Sequence, residues 1–156
     1  DSVGTIGLLN VSGGSINVVP GRCQFSLDLR APTDPQRDAL VRDVLDHLGQ
    51  IAARRGLRYT LEESMRAAAA PSAPALQHHW ERAVDHLGVP VFRMPSGAGH
   101  DAMKLHEIMP QAMLFVRGEN SGISHNPLES TTNNDMQLAV DAFTQVLHQL
   151  AEEQQP

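Results

Sequence analysis

Cysteine is nearly absent: Cys23 is the only one in 156 residues. An intramolecular disulfide is therefore impossible, and a zinc site built from several thiolates is excluded. A reducing, cytoplasmic setting fits this usage. Long apolar runs are missing too, since none approaches the roughly 20 residues that a membrane-spanning helix needs. Basic residues are few, 12 Lys and Arg against 18 Asp and Glu, which gives a formal charge of −6 and a pI near 5.7. Only Arg54 and Arg55 are adjacent, so the clustered positive charge that nucleic acid demands is lacking. Nucleic acid and membranes are not expected partners. The opening "DSVGTIGLLNV" has neither a basic leader nor an initiator Met and looks like the inside of a domain, so a fragment of a longer protein is expected. No G-x-S-x-G elbow occurs, which removes the support for a serine α/β hydrolase.

What the chain does contain is a globular composition, 41% hydrophobic and 19% charged, long enough for one ordinary domain or two small ones. Residues 3–11 suggest a strand that ends at the turn "SGG". In "RCQFSLDLR" (22–30), Cys23, Phe25, Leu27 and Leu29 alternate with Gln24, Ser26, Asp28 and Arg30, the pattern of a strand with one buried and one polar face. Cys23 then belongs to the core. Thr33 with Gln36 forms a capping box, and Pro35 stands where an early helical proline is tolerated. Leu40, Val41, Val44, Leu45, Leu48, Ile51 and Ala52 make an apolar stripe that Gly56 ends. "LRYTLEES" (57–64) alternates as a further strand. These elements make most of an antiparallel sheet backed by helices on one side, a split βαβ arrangement without its first strand and helix.

The run "MRAAAAPSAPA" (65–75) is a compositional break. Beyond it, Leu76, Trp80, Ala83, Val84 and Leu87 mark a helix stopped by Gly88. "SGAGHDAMKLHEI" is a glycine turn opening a short helix, and "AMLFV" (112–116) an apolar strand. A last helix from about 133 carries Met136, Val140, Phe143, Leu147 and Leu150. A short apolar strand between helices argues for an α/β fold with a parallel or mixed sheet.

Most of the eight histidines sit in helical patterns: His47, His78, His79, His86 and His148 need only be exposed or hydrogen-bonded. His106 is ambiguous. His100 and His125 differ because each lies in a glycine-containing loop beside a carboxylate, in "GAGHD" and "GISHNPLE". The loop after an apolar strand is where α/β sheets place their sites. A neutral imidazole there can bind zinc or a similar ion. The alternative for His125 is a loop histidine that caps a turn. Asn17 in "GGSINVVPG" either offers its amide to a ligand or closes the loop. Arg30 either holds a carboxylate through two parallel hydrogen bonds or pairs with Asp28 or a helix acid.

Three ordered stretches, "TIGLLNVSGGSINVVPGRCQFSLDLRAP", "PSGAGHDAM" and "MLFVRGENSGISHNPLE", resemble the amidase/hydantoinase/carbamoylase family. That family is a branch of the dinuclear-metal aminoacylase and carboxypeptidase superfamily. It includes N-carbamoyl-L-amino-acid hydrolases, β-ureidopropionases and allantoate amidohydrolases. The resemblance implies the remnant of a ferredoxin-like lid and dimerisation domain at 1–66, then the C-terminal portion of a mixed-sheet catalytic domain at 67–156. It implies that His125 is the last ligand of a site for two divalent ions, whether zinc, manganese, cobalt or nickel. Asn17 and Arg30 look like the pair that grips the substrate's carboxylate and the amide beside it. Gly99 and His100 line the same pocket, and Glu129 looks like a loop-fixing group, whereas Glu119 and Asn120 receive no role. The other ligands and the glutamate general base are expected upstream of residue 1. A homodimer acting on a small ureido or carbamoyl carboxylate is implied for the intact enzyme, with no turnover by these residues alone. The alternative from another class is a non-catalytic dimerisation or binding module on the same scaffold, held together by exposed strand edges.

Overall fold

Thr33 opens the first long helix as its spacing requires. The computed structural model describes residues 2–153. In it Thr33 is extended (φ −133°, ψ 153°), and its hydroxyl oxygen accepts the Gln36 N–H at 3.4 Å while the hydroxyl donates to Gln36 Oε1 at 3.0 Å. Helix α1 then runs Asp34–Arg55 and ends at Gly56, whose left-handed φ of 64° lets its N–H reach back to Ala52 and Ala53. Leu57 N–H also donates to Ala52 O, at 2.9 Å, closing the end of the helix. The Thr33→Ala variant is expected to lose about 1 kcal/mol of stability, the usual cost of a removed N-cap. Denaturant midpoints followed by helical circular dichroism measure this, and an unchanged midpoint speaks against the cap.

The chain divides into two compact units, which comprise the residues up to Ala69 with Pro95–Gly99, and Ala70–Met94 with the residues from His100 onward. The first unit holds four short strands, β1 (Val3–Thr5), β2 (Leu9–Val11), β3 (Cys23–Phe25) and β4 (Asp28–Arg30). They pair antiparallel as β1–β4 and β2–β3, with Thr5 opposite Asp28 and Leu9 opposite Phe25. Between the ladders, residues 6–8 oppose only 26 and 27, so one extra residue is accommodated as in a bulge. Ser26 bridges the gap: its N–H donates to Leu8 O at 3.1 Å and its hydroxyl oxygen accepts Leu8 N–H at 2.9 Å. The two long strands expected at 3–11 and 22–30 are therefore each broken in two. Helix α1 packs against β4.

The compositional break at 65–75 is anchored rather than loose where it joins α1. Asp34 Oδ1 accepts the Ala69 N–H at 2.8 Å, Arg66 bridges Asp38 and Glu63, and Arg37 donates to Ala67 O. These bonds hold residues 66–69 on the first turns of α1.

In the second unit, α2 (Pro74–His86) and α4 (Asn133–Glu153) pack together, with α3 (Ala102–Leu105) between them in sequence. Small residues set the approach: Ala83, Ala142 and Val146 are buried, and Trp80, Leu87, Leu114 and Leu150 close around them. Trp80 stacks on Phe143 with ring centroids 5.9 Å apart. His79 is buried and satisfied, with Nδ1 2.9 Å from Gln149 Oε1 and Nε2 3.3 Å from Glu153. Gly88 takes φ 68° just past α2, and the chain leaves the helix there.

Three expectations fail. Residues 57–64 and 112–116 carry no ladder among the described residues, and both existing ladders are antiparallel. A strand needs a neighbour to take its N–H and C=O groups, and alternating or apolar sequence alone does not provide one. Leu114 instead packs on the helical core. Cys23 and Phe25 are exposed rather than buried, because α1 lies on β4 and no layer among the described residues covers β3. What forms is a mixture of α-helices and small β-sheets. No helix among the described residues is long and apolar enough to cross a membrane.

Candidate functional site

Arg30 sits at the end of β4, two residues from Asp28 and so on the same face of the strand. Asp28 takes the side of the guanidinium: Nε donates to Oδ1 at 3.1 Å and Nη2 to Oδ2 at 2.6 Å. Nη1 donates to the Gly97 carbonyl at 2.8 Å, across 67 residues of sequence. The hydrogen bond from Arg30 and the charge behind it hold the Asp28 carboxyl below the usual carboxylate range, and the same pairing pushes Arg30 up. Both side chains remain about half exposed, at 49% and 51%. A guanidinium has five N–H donors, so one on each Nη is left without a partner among the described residues. Those two donors leave the guanidinium able to bind a further acceptor such as a carboxylate.

Asn17 belongs to a tight turn in which Ser15 bridges Val18, and its Oδ1 accepts the Ser15 hydroxyl at 3.0 Å. Oδ1 closes the loop, while Nδ2 has no partner among the described residues. Gly99 and His100 lie in the irregular segment before α3. His100 Nδ1 accepts the Ala102 N–H at 3.1 Å, so in the neutral ring the proton sits on Nε2 and that nitrogen is a donor.

His125 is held by its backbone. Its φ is 55°, a left-handed conformation that histidine, asparagine and aspartate adopt more readily than other non-glycine residues. Its N–H donates to Glu129 Oε2 at 2.9 Å. The loop that carries it is closed at the neck, where Glu119 N–H meets Ser130 O at 2.8 Å and the Ser130 hydroxyl meets Glu119 Oε2 at 3.0 Å. Asn120 Nδ2 reaches Leu128 O at 2.7 Å. Asn120, Ser121 and Gly122 are left-handed in succession, with φ 51°, 62° and 69°. The neck bonds offset the cost of that conformation. The His125 ring is exposed and makes no hydrogen bond among the described residues, so both ring nitrogens are available.

These positions are built differently. Arg30 is tied to the 95–99 segment that ends in Gly99, whereas Asn17 and His125 are each set by their own loops. No group of three or more His, Cys, Asp or Glu among the described residues stands ready for a metal ion. Sequence reasoning missed Glu119, Asn120 and Ser130 as the closure of the His125 loop. The run Asn-Ser-Gly, with residues tolerant of positive φ at either end, was the available signal.

The model of the peptidase family M20/M25/M40 matches residues 4–149. Among curated relatives, the N-carbamoyl-L-amino acid amidohydrolase of Geobacillus stearothermophilus is 37% identical over 151 residues, covering 97% of this chain and 37% of the relative. The allantoate amidohydrolase of Bacillus subtilis is 33% identical, covering 94% of this chain and 35% of the relative. A crystal structure of an amidase of the hydantoinase/carbamoylase family from Burkholderia multivorans superposes with a TM-score of 0.84 at 34% identity, over 93% of this chain and 35% of that one. The chain thus spans little more than a third of the length of these relatives.

Proposed function

Since this chain belongs to the peptidase family M20/M25/M40, we propose that it forms part of a metal-dependent amidohydrolase that cleaves linear C–N bonds in carboxylate-bearing carbamoyl or ureido compounds. The geometry of Arg30 carries the reading, because a half-exposed guanidinium held by Asp28 and Gly97 O, with a donor unengaged on each Nη, suits the capture of a carboxylate. The names of the two curated relatives supply the bond and the substrate class.

In this reading Arg30 fixes the substrate's carboxylate, which places the scissile group at a set distance from that anchor. Asn17 donates from Nδ2 to the neighbouring carbonyl, and His100 donates from Nε2 beside Gly99. The His125 ring fits one coordination bond to a divalent ion, since its backbone is locked and its nitrogens are unengaged. It fits only as one member of a larger ligand set, because the described residues assemble no cluster of three. The remaining ligands and the general base belong, on this proposal, to sequence that the relatives have beyond the matched third. Two ions of zinc, manganese, cobalt or nickel would supply a water acidified to near neutral pH. The first unit is read as the remainder of a ferredoxin-like lid and dimerisation domain, and the second as the C-terminal portion of the catalytic domain of a cytoplasmic homodimer.

The exposed Leu9, Val11 and Phe25 on β2 and β3 favour one other reading, a non-catalytic dimerisation module. One assay separates the two. The longest natural form of the protein is expected to hydrolyse an N-carbamoyl-L-amino acid, 3-ureidopropionate or allantoate, to stop after chelation and to recover with divalent metal. Failure on every substrate in the metal-replete state overturns the amidohydrolase, and a dimer persisting alongside that failure supports the module.

A further inference from the structure

Arg30 is an exposed, flexible side chain at a strand end, and such a residue gives up rotamer freedom whenever it captures a ligand. Here bonds within the protein already reduce that freedom. The β1–β4 ladder, with Val3 opposite Arg30 and Thr5 opposite Asp28, fixes both backbone positions. Strand parity puts the two side chains on one face, and the Asp28 carboxylate then takes Nε and Nη2 while Gly97 O takes Nη1. Four hydrogen bonds, three to the Asp28 carboxylate and one to Gly97 O, set the plane of the guanidinium.

We infer that Asp28 is a positioning residue, which orients the guanidinium of Arg30 so that its unengaged Nη hydrogens can take a ligand carboxylate, and keeps Arg30 on the Gly97 carbonyl. This rests on the carboxylate-clamp reading of Arg30. An opposing effect exists, since the negative charge of Asp28 also repels a carboxylate ligand. The pair is about half exposed, so water and salt screen that repulsion, and orientation dominates. The two effects predict opposite signs when the charge is removed.

The experiment measures steady-state kinetics on the longest natural form, with an N-carbamoyl-L-amino acid and its carboxamide counterpart. Asp28→Asn should raise KM for the acid about tenfold with kcat unchanged, the loss of one charged hydrogen-bond partner. KM for the carboxamide should not move, and Asp28→Glu should restore part of the loss. In the 156-residue chain itself, the Arg30 Nε–H resonance should lie apart from those of exposed arginines and merge with them in Asp28→Asn. A KM for the acid that falls, or stays level, in Asp28→Asn overturns the inference. If Arg30→Ala raises that KM, only the role of Asp28 has failed. If Arg30→Ala leaves it unchanged, the carboxylate clamp has failed and the inference with it.

Discussion

Replacing His125 by asparagine in the longest natural form of the protein is expected to lower kcat/KM by about 10³-fold and to reduce the bound metal. A factor of 10³ is about 4 kcal/mol of transition-state stabilisation, within what loss of a metal-activated water removes. Asparagine is the better probe than alanine because position 125 has φ 55°. Asparagine tolerates the left-handed region, whereas alanine would add backbone strain to the loss of the ring. The Glu129 carboxylate still accepts the backbone N–H, so the loop should keep its shape and the melting temperature of the metal-free protein should hold. Elemental analysis and kinetics together check this: a variant with native turnover and native metal content removes His125 from the site.

The second large effect belongs to Arg30. Arg30→Ala should raise KM for carboxylate substrates roughly 100-fold, from two charge-assisted hydrogen bonds at about 1.5–3 kcal/mol each that do not add fully. Arg30→Lys should rescue little. An ammonium is a single point of charge and cannot hold the Asp28 fork, the Gly97 carbonyl and a substrate carboxylate together. The comparison of acid and carboxamide substrates isolates this contribution, and an equal rise for both would assign Arg30 to general folding instead.

Much of this was legible in the sequence where the signal is local. Thr33, Gln36 and Gly56 lie within one turn of the ends they set, and α1 forms between them. The stripe from Leu76 to Leu87 gave α2, and the spacing from Met136 gave α4. The link from Glu129 to His125 spans four residues, so their pairing lay within reach of a reading of one loop. Contacts across long stretches were not legible. Nothing in "PSGAGHDAM" announces that Gly97 O will accept from Arg30, because a backbone carbonyl carries no residue-type signature. Strand expectations failed for a related reason: alternation describes one strand, and a ladder needs two. Residues 57–64 have the pattern without the partner, and the break after Thr5 depends on one surplus residue in the opposing count rather than on composition.

The stack of Trp80 on Phe143 has an optical consequence. Trp80 is the sole tryptophan of these 156 residues, and it packs against the α2–α4 cluster of the second unit. Emission excited at the indole band therefore follows the melting of the second unit, whereas far-ultraviolet ellipticity sums over α1 as well. If the two transitions coincide, the units unfold as one cooperative body, and if the midpoints part, each possesses a stability of its own.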